Sequence, residues 1–201
     1  MCGRFYVDDE TAREIERLTR EVDERIKREA KKGDIHPTET AVVLSGEQGR
    51  IVKNEMRWGF PGIKDAKVLI NARAESALEK KLFRQNLLNR RLIIPAAGFY
   101  EWNRDKEKAA FTSSEETKEE KTSTIYMAGF YGCVEGENRF VILTTAANAS
   151  MQEVHNRMPL ILEREEIEAW LFQKERLENL LKKVPAPLNK KMEYEQQRLA
   201  F

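Results

Sequence analysis

A cysteine occupies the second position of the chain, which opens with the sequence MCGRF. Removal of Met1, which a small second residue permits, would leave Cys2 with a free α-amine of reference pKa about 7.7–8.0 beside a thiol of reference pKa about 8.5. Both groups would then be partly nucleophilic at neutral pH. An aldehyde would give a Schiff base with the amine and then a five-membered thiazolidine as the sulfur closes onto the imine carbon. Cys2 could instead be a small second residue without a chemical role.

Two further segments contain polar residues that could act with this cysteine. In LINARAES, residues 69–76, Asn71 offers a neutral donor and acceptor, and Arg73 can hold a phosphate through two parallel hydrogen bonds. The same residues could simply open a helix. In PAAGFYEWN, residues 95–103, Glu101 is the only carboxylate of an apolar and aromatic strand. Strand alternation leaves open whether Glu101 points outward to water or inward to a site, where it could shuttle protons.

Histidine is the side chain best suited to proton transfer near neutral pH, and the chain has only two histidines. His155 lies in EVHNRMPLIL, residues 153–162, which indicates a structured turn, although a lone histidine is often a surface or core residue. A zinc site could be assembled from His36, His155, Cys2 and Cys133, but none of the spacings is that of a zinc ribbon or finger. We therefore expect no metal and no cofactor.

The charge of the whole chain indicates no particular partner, because 35 Lys and Arg oppose 34 Asp and Glu, for a net charge of +1. Any affinity for nucleic acid must come from a local patch. Residues 71–91 carry such an excess, with six basic residues against Glu75 and Glu79. Together with Arg4 and Arg157 this segment could form a basic groove along a phosphate backbone. An ordinary solvated helix would have the same composition. The basic residues are Arg73, Lys80, Lys81, Arg84, Arg90 and Arg91.

The pattern of apolar residues predicts an α+β fold with a mostly antiparallel, barrel-like β-sheet core and peripheral helices. Helical periodicity is found in residues 8–32, which Asp8 can cap, in 76–88, and in 163–183 as one or two helices. Strand character is found in residues 40–45, 50–57, 67–71 and 91–102, and in a hairpin of 124–131 with 139–146 around Gly136. The charged segment 104–123 predicts a mobile loop. The tail, residues 184–201, gives no clear assignment.

We expect a single domain over residues 1–201, because no repeat or linker divides the chain. No apolar stretch approaches the roughly 18 residues that span a bilayer, and the N-terminus lacks the pattern of a secretion signal. These features predict a cytoplasmic protein, in which both cysteines are free thiols.

Five motifs in this order resemble the SRAP family, the SOS-response-associated peptidases, now understood as abasic-site processing proteins. The motifs are MCGRF, WGF at residues 58–60, INARAE, GFYEW and VHNRMP. The resemblance runs from residue 2 to about residue 172. It implies an SRAP-like fold, a monomer, and a role in the DNA damage (SOS) response, with association with the nucleoid when bound to DNA.

The resemblance also implies a substrate, the ring-opened aldehyde of an abasic site in single-stranded DNA. Cys2 becomes the covalent nucleophile through both amine and thiol after Met1 is removed, a step that the protein's own peptidase activity could perform. Asn71, Glu101 and His155 fall on the family's active-site positions. An imine beside a group that abstracts protons can also undergo β-elimination, so the same site could also have lyase activity.

The DNA-binding residues that we predict are Arg4 and Arg73, on family positions that hold the DNA backbone, with Lys81 and Arg157 from the basic groove. Two alternatives remain open at this point. The protein could be a cysteine peptidase acting on other proteins, with His155 as the base, or a single-strand binding module that uses the basic segment alone.

The chain departs from the family's pattern at several places. Asp34 stands where many relatives carry asparagine, and a negative charge beside DNA is unfavourable unless it is paired. Gly62, Ile63 and Lys64 stand where relatives often carry tryptophans that wedge beside the lesion. The loop at residues 104–124 and the segment after Pro185 also differ from the usual pattern.

Overall fold

The computed structural model describes residues 2–19, 32–62, 68–114 and 124–193. These residues form thirteen strands and five α-helices. The strands are β1 (Arg4–Val7), β2 (Gly33–Ile35), β3 (Thr40–Glu47), β4 (Arg50–Trp58), β5 (Asn71–Arg73), β6 (Arg91–Ala96), β7 (Gly98–Trp102), β8 (Lys108–Ser113), β9 (Ile125–Val134), β10 (Glu137–Ala146), β11 (Arg157–Pro159), β12 (Ile161–Leu162) and β13 (Leu188–Glu193). The helices are α1 (Asp9–Thr19), α2 (Ala74–Ala77), α3 (Lys81–Asn89), α4 (Ile167–Phe172) and α5 (Leu177–Leu181).

Five strands close into a barrel in the order β10, β4, β3, β6 and β9, and β9 pairs again with β10. All of these pairings are antiparallel except β4 with β10. Strand β5 also runs parallel to β10, and β11 and β12 extend the sheet. This architecture confirms the predicted α+β fold with a mostly antiparallel, barrel-like core.

A second sheet of five antiparallel strands, in the order β13, β8, β7, β1 and β2, packs against the barrel. Alternate residues along each barrel strand belong to two different hydrophobic cores. Val43 and Ile94 join the inward side chains of the second sheet, such as Phe99, whereas Val42 and Ile93 pack under the helices. Both faces of the barrel are therefore covered, which explains why β6 reads as a continuous apolar run.

Several elements have other bounds than the sequence predicts. Helix α1 is capped by Asp8, whose Oδ1 accepts a 2.8 Å hydrogen bond from the Thr11 amide, and residues 20–31 lie outside the described ranges. The predicted helix 76–88 is two helices, α2 and α3. The predicted strand 91–102 is two strands, β6 and β7, which belong to different sheets.

The prediction of a mobile loop over residues 104–123 is wrong for residues 108–113, which form β8. This strand pairs with β7 on one side and with β13 on the other, and it buries Ala109 and Phe111. Residues 115–123 lie outside the described ranges. The tail, which the sequence left unassigned, contributes β13. The two segments without a clear strand pattern, β8 and β13, therefore pair with each other in the sheet.

Within the described part of the chain, no helix is both long enough and apolar enough to cross a membrane.

Candidate active site

Cys2 is held inside the protein instead of fraying at the chain end. Its side chain is 0% exposed and belongs to the core between the second sheet and the barrel. The thiol contacts the Arg4 carbonyl oxygen at 3.7 Å, where β1 begins. The strand β1 pairs with β7 and β2, which fixes the path of the terminus.

Asn71 reaches Cys2 from the barrel. It begins β5, where it lies opposite Ile142 of β10, and its side chain is buried. The Asn71 amide Nδ2 donates a 2.9 Å hydrogen bond to the Cys2 carbonyl oxygen. The other amide atom, Oδ1, is buried and accepts no hydrogen bond from the described residues. Among the described residues, Asn71 Oδ1 is therefore a hydrogen-bond acceptor without a donor, next to the backbone of Cys2.

Glu101 points inward. Along β7 the buried residues Phe99 and Glu101 alternate with the half-buried Tyr100 and Trp102. Burial raises the pKa of the Cys2 thiol from its ordinary value of 9.0 to about 12, and the nearby Glu101 carboxylate adds to this rise. The Cys2 thiol is therefore protonated at neutral pH.

His155 lies half-buried in the turn that precedes β11. Its Nδ1 accepts a 2.9 Å hydrogen bond from the Arg157 amide, which can only donate. The same Nδ1 also lies 3.2 Å from the Arg157 carbonyl oxygen, so the Arg157 backbone fixes the orientation of the ring. The neighbouring residues Met151 and Val154 belong to the same core as Cys2, which brings His155 to the border of that core.

Two of the predicted DNA-binding residues lie exposed at the surface. Arg73 ends β5, and Lys81 begins α3 in the basic segment. Arg4 is half-buried, lies 5.3 Å above the Trp102 ring and forms a 3.5 Å ion pair with Asp34. The Asp34 charge, which departs from the family's pattern, is thus paired.

Arg157 is engaged within the protein. Its side chain is 15% exposed, and its guanidinium forms two hydrogen bonds of 2.6 and 2.8 Å with the Glu75 carboxylate and one of 2.5 Å to the Thr144 carbonyl oxygen. The hydrogen bond from Arg157 lowers the pKa of Glu75. A contact between Arg157 and DNA stays a prediction, and it would compete with this pair.

The four residues considered for zinc are not gathered into one site. Cys133 is exposed on β9, whereas Cys2 is buried. Across the described ranges, no three His, Cys, Asp or Glu side chains come together in a way that could hold a metal ion.

Comparisons with known proteins decide the family. The model of the family described as SOS response associated peptidase (SRAP) matches residues 1–197. The chain belongs to the SRAP family. Abasic site processing protein YoqW of Bacillus subtilis (strain 168) is 34% identical over 192 residues, which cover 87% of this chain and 81% of the relative. Abasic site processing protein YedK of Escherichia coli (strain K12) is 27% identical over 179 residues, 86% of this chain and 80% of the relative.

The SRAP fold is also found among solved structures. A protein from Bacteroides thetaiotaomicron superposes with a TM-score of 0.73 at 21% identity, over 95% of this chain and 91% of that chain. At this level of identity the likeness shows the fold alone.

The structure adds a residue to this SRAP site that sequence reasoning noted only as part of the WGF motif. Trp58 is fully buried, and its indole Nε1 donates a 3.0 Å hydrogen bond to the Ile70 carbonyl oxygen, directly before Asn71. The same ring packs 5.2 Å from Phe5 in β1. Trp58 therefore braces both the strand that carries Asn71 and the strand that follows Cys2. In the sequence, only the position of Trp58 beside Gly59 in the WGF motif pointed to this residue.

Proposed function

We propose that this SRAP protein captures the ring-opened aldehyde of an abasic site in single-stranded DNA through a covalent bond to Cys2. The observation that carries the proposal is the buried terminus, where Asn71 holds the Cys2 carbonyl oxygen at 2.9 Å. Two similar proteins, from Bacillus subtilis and Escherichia coli, are named abasic site processing proteins. A second residue without a chemical role would not need its backbone to be buried and held by a hydrogen bond in this way.

The reaction begins with hydrolysis of the bond between Met1 and Cys2, which frees the α-amine. The neutral amine adds to the aldehyde carbon, and the aldehyde oxygen leaves as water to give an imine. The sulfur then adds to the imine carbon while the thiol proton moves to the nitrogen. The product is a thiazolidine, with one water lost and no change in oxidation state.

Three polar side chains have tasks in this reaction. Glu101 can take the proton that the α-ammonium must lose before it attacks. The Oδ1 atom of Asn71 can accept a hydrogen bond from the freed α-amine while Nδ2 keeps the carbonyl in place. His155 can donate a ring proton to the departing hydroxyl.

In the chain that retains Met1, burial raises the pKa of the Cys2 thiol to about 12, so the thiol stays protonated at neutral pH. A thiol that stays protonated is a poor nucleophile toward a peptide bond, so burial argues against a general cysteine peptidase that attacks other proteins. Once Met1 is gone, the α-ammonium lies beside the sulfur and would lower the thiol pKa. Peptidase activity in this scheme is directed at Met1, and the imine stage can also lose a proton and cleave the strand as a lyase.

Intact-mass spectrometry with and without an abasic oligonucleotide tests the proposal. We expect a mature chain that begins at Cys2, and an adduct whose mass equals protein plus oligonucleotide minus one water. Cys2→Ser keeps the amine and should give only an imine, seen after borohydride reduction. Cys133→Ser removes the exposed thiol and should form the adduct like the wild type.

Two outcomes would contradict the proposal. One is equal adduct formation by the wild type and by Cys2→Ala. The other is turnover of a peptide substrate that survives chemical blockage of the α-amine, without any aldehyde adduct, which would assign the site to a cysteine peptidase.

A further inference from the structure

His155 lies near the end of a loop that joins two strands of the barrel sheet. This loop, residues 147–156, follows β10 and precedes β11, and we call it the His155 loop. The Ala147 amide donates a 3.1 Å hydrogen bond to the Asn156 carbonyl oxygen, which closes the base of the loop. The His155 amide donates one of 3.0 Å to the Met151 carbonyl oxygen. These bonds fix the shape of the loop, so the position of His155 depends on how the whole loop is attached to its surroundings.

A segment that leads into β13 attaches the His155 loop to the second sheet. We call residues 185–190 the anchoring segment, and its last three residues belong to β13, which pairs with β8. Asn148 of the loop is half-buried, and its Nδ2 donates hydrogen bonds to two carbonyl oxygens of this segment. The distances are 3.0 Å to Pro185 and 2.9 Å to Ala186. One side chain therefore connects the loop to the entry of a strand of the second sheet.

Ser150 adds a second connection to the same segment. Its hydroxyl accepts a 3.0 Å hydrogen bond from the amide of Leu188, the first residue of β13, and donates one of 2.6 Å to Asn148 Oδ1. The Ser150 amide donates to the same oxygen at 3.0 Å. Asn148 thus uses both its amide group and its oxygen, which holds its side chain in one orientation. The Leu188 side chain is buried in the same core as Cys2 and Met151.

This attachment crosses the boundary between the two sheets that contribute to the candidate site. Glu101 lies on β7 of the second sheet, and Cys2 directly precedes β1 of that sheet. His155, in contrast, lies between two strands of the barrel sheet. The hydrogen bonds of Asn148 and Ser150 therefore connect the loop that carries the histidine to the sheet that carries the other two groups.

We propose that Asn148 and Ser150 are positioning residues for the covalent reaction and act through His155. The proposal rests on the proposed function, in which His155 donates a proton to the departing hydroxyl. A group that transfers a proton must lie within hydrogen-bond distance of its target, and a misplacement of about 1 Å lowers a rate strongly. The ion pair of Lys190 with Glu153 also joins the segment to the loop, at 2.5 Å, but Glu153 is 78% exposed and the pair should add little.

Single-turnover kinetics of adduct formation, over a series of abasic oligonucleotide concentrations, test the proposal. Asn148→Asp keeps the acceptor for Ser150 and removes both donors to the anchoring segment. We expect its maximal rate to fall roughly tenfold, while the half-saturating DNA concentration stays within about twofold of the wild-type value. Ser150→Ala introduces no charge and should lower the maximal rate several-fold. Ser150→Thr keeps the hydroxyl and should restore the rate.

A double-mutant cycle separates positioning from a general loss of stability. Asn148→Asp and His155→Ala should each slow the reaction alone, and Asn148→Asp should have no further effect in the His155→Ala protein. Lys190→Met is the matched control, because it removes the exposed ion pair between the same two segments, and it should react like the wild type. Thermal unfolding establishes that each variant is folded.

A measurement without DNA keeps this proposal separate from the proposed function. The chain has two histidines, so His36→Gln identifies the ring signals of His155 in proton NMR spectra. We expect Ser150→Ala to shift and broaden the His155 signals, because the loop is less firmly held, and to leave the His36 signals unchanged.

Three results overturn the proposal. The first is an unchanged maximal rate in Asn148→Asp, and the second is an equal loss of rate from this change with and without His155. The third is a set of His155 signals that is the same in the wild type and in folded Ser150→Ala. Absence of any adduct from the wild type would contradict the proposed function, and the NMR comparison would still decide whether Ser150 holds His155 in place.

Discussion

The side chain of Asn71 holds the backbone of Cys2 across 69 positions of the chain, through a 2.9 Å hydrogen bond from Nδ2 to the Cys2 carbonyl oxygen. The bond joins the closed barrel to the terminus and is buried from water. It therefore fixes the position of the Cys2 backbone relative to the barrel.

We expect Asn71→Asp to slow adduct formation with abasic DNA by roughly tenfold or more, because loss of a buried hydrogen bond costs about 1–3 kcal/mol. A carboxylate cannot donate to the Cys2 carbonyl, and it places a negative charge beside this oxygen. Gel-based kinetics of the covalent product measure the rate. Asn138→Asp introduces the same change at an exposed position of β10, opposite Cys133 of β9, and should react like the wild type. Equal rates for the wild type and Asn71→Asp would show that this bond does not position Cys2.

The raised pKa of Cys2 predicts a pH dependence of stability in protein that retains Met1. The unfolded thiol ionises near 9.0 and the folded thiol near 12, so the folded state binds the extra proton between these values. The stabilisation is complete below pH 9.0 and is lost as the pH rises toward 12, at about 1.4 kcal/mol per pH unit. Urea unfolding above pH 9.0 should show a steeper loss for the wild type than for Cys2→Ala.

Cys133→Ser is the control for this experiment, because Cys133 is exposed, and its pH profile should match that of the wild type. Intact-mass measurement establishes that Met1 is present in each sample. Parallel profiles for the wild type and Cys2→Ala would contradict the burial of a protonated thiol.

The ion pair of Glu75 and Arg157 leads us to expect that Glu75→Gln has a small effect on stability and a larger one on the rate of adduct formation. Glu75→Gln should lower the free energy of unfolding at neutral pH by about 1 kcal/mol or less, because the Glu75 side chain is half exposed. The lowered pKa of Glu75 means that this difference is present above its ordinary value of 4.5 and is lost as the pH falls through the folded value. Adduct formation should slow several-fold, since the Arg157 amide orients His155.

Glu79→Gln provides the comparison for the Glu75 variant, since Glu79 is exposed on the same segment. Its adduct rate and stability should not change. An unchanged rate in Glu75→Gln would show that the ion pair does not help to position His155.

A buried carboxylate fastens α1 to the barrel. Glu14 is 1% exposed, and its Oε1 accepts hydrogen bonds from the Tyr126 hydroxyl at 2.9 Å and from Arg164 Nε at 3.1 Å. Tyr126→Phe should destabilise the protein by about 1–3 kcal/mol in urea unfolding, because the carboxylate loses a buried donor. Tyr131→Phe, at a half-buried position of the same strand, should have little effect. If both variants are equally stable, the Glu14 carboxylate does not depend on Tyr126.

Much of the fold follows from local patterns. The β9–β10 hairpin is predicted by two apolar segments flanking Gly136, and the N-terminal cap of α1 by Asp8. The strand β8 could not be predicted, because Ala109 and Phe111 are its only apolar residues at inward positions and its charged surroundings resemble a loop. Its stability comes from pairing with β7 and β13, which are distant contacts that composition does not contain.

The sequence by itself determined the family and named the candidate reactive groups, because residue types and motif order are local properties of the chain. Cys2 at the second position, Asn71, Glu101 and His155 could all be named from it. Only the tertiary structure decided that Cys2 is buried, that Glu101 points inward and that Arg157 is paired with Glu75. These outcomes depend on strand register and on how the second sheet packs against the barrel, where a shift of one residue would turn each side chain to the opposite face.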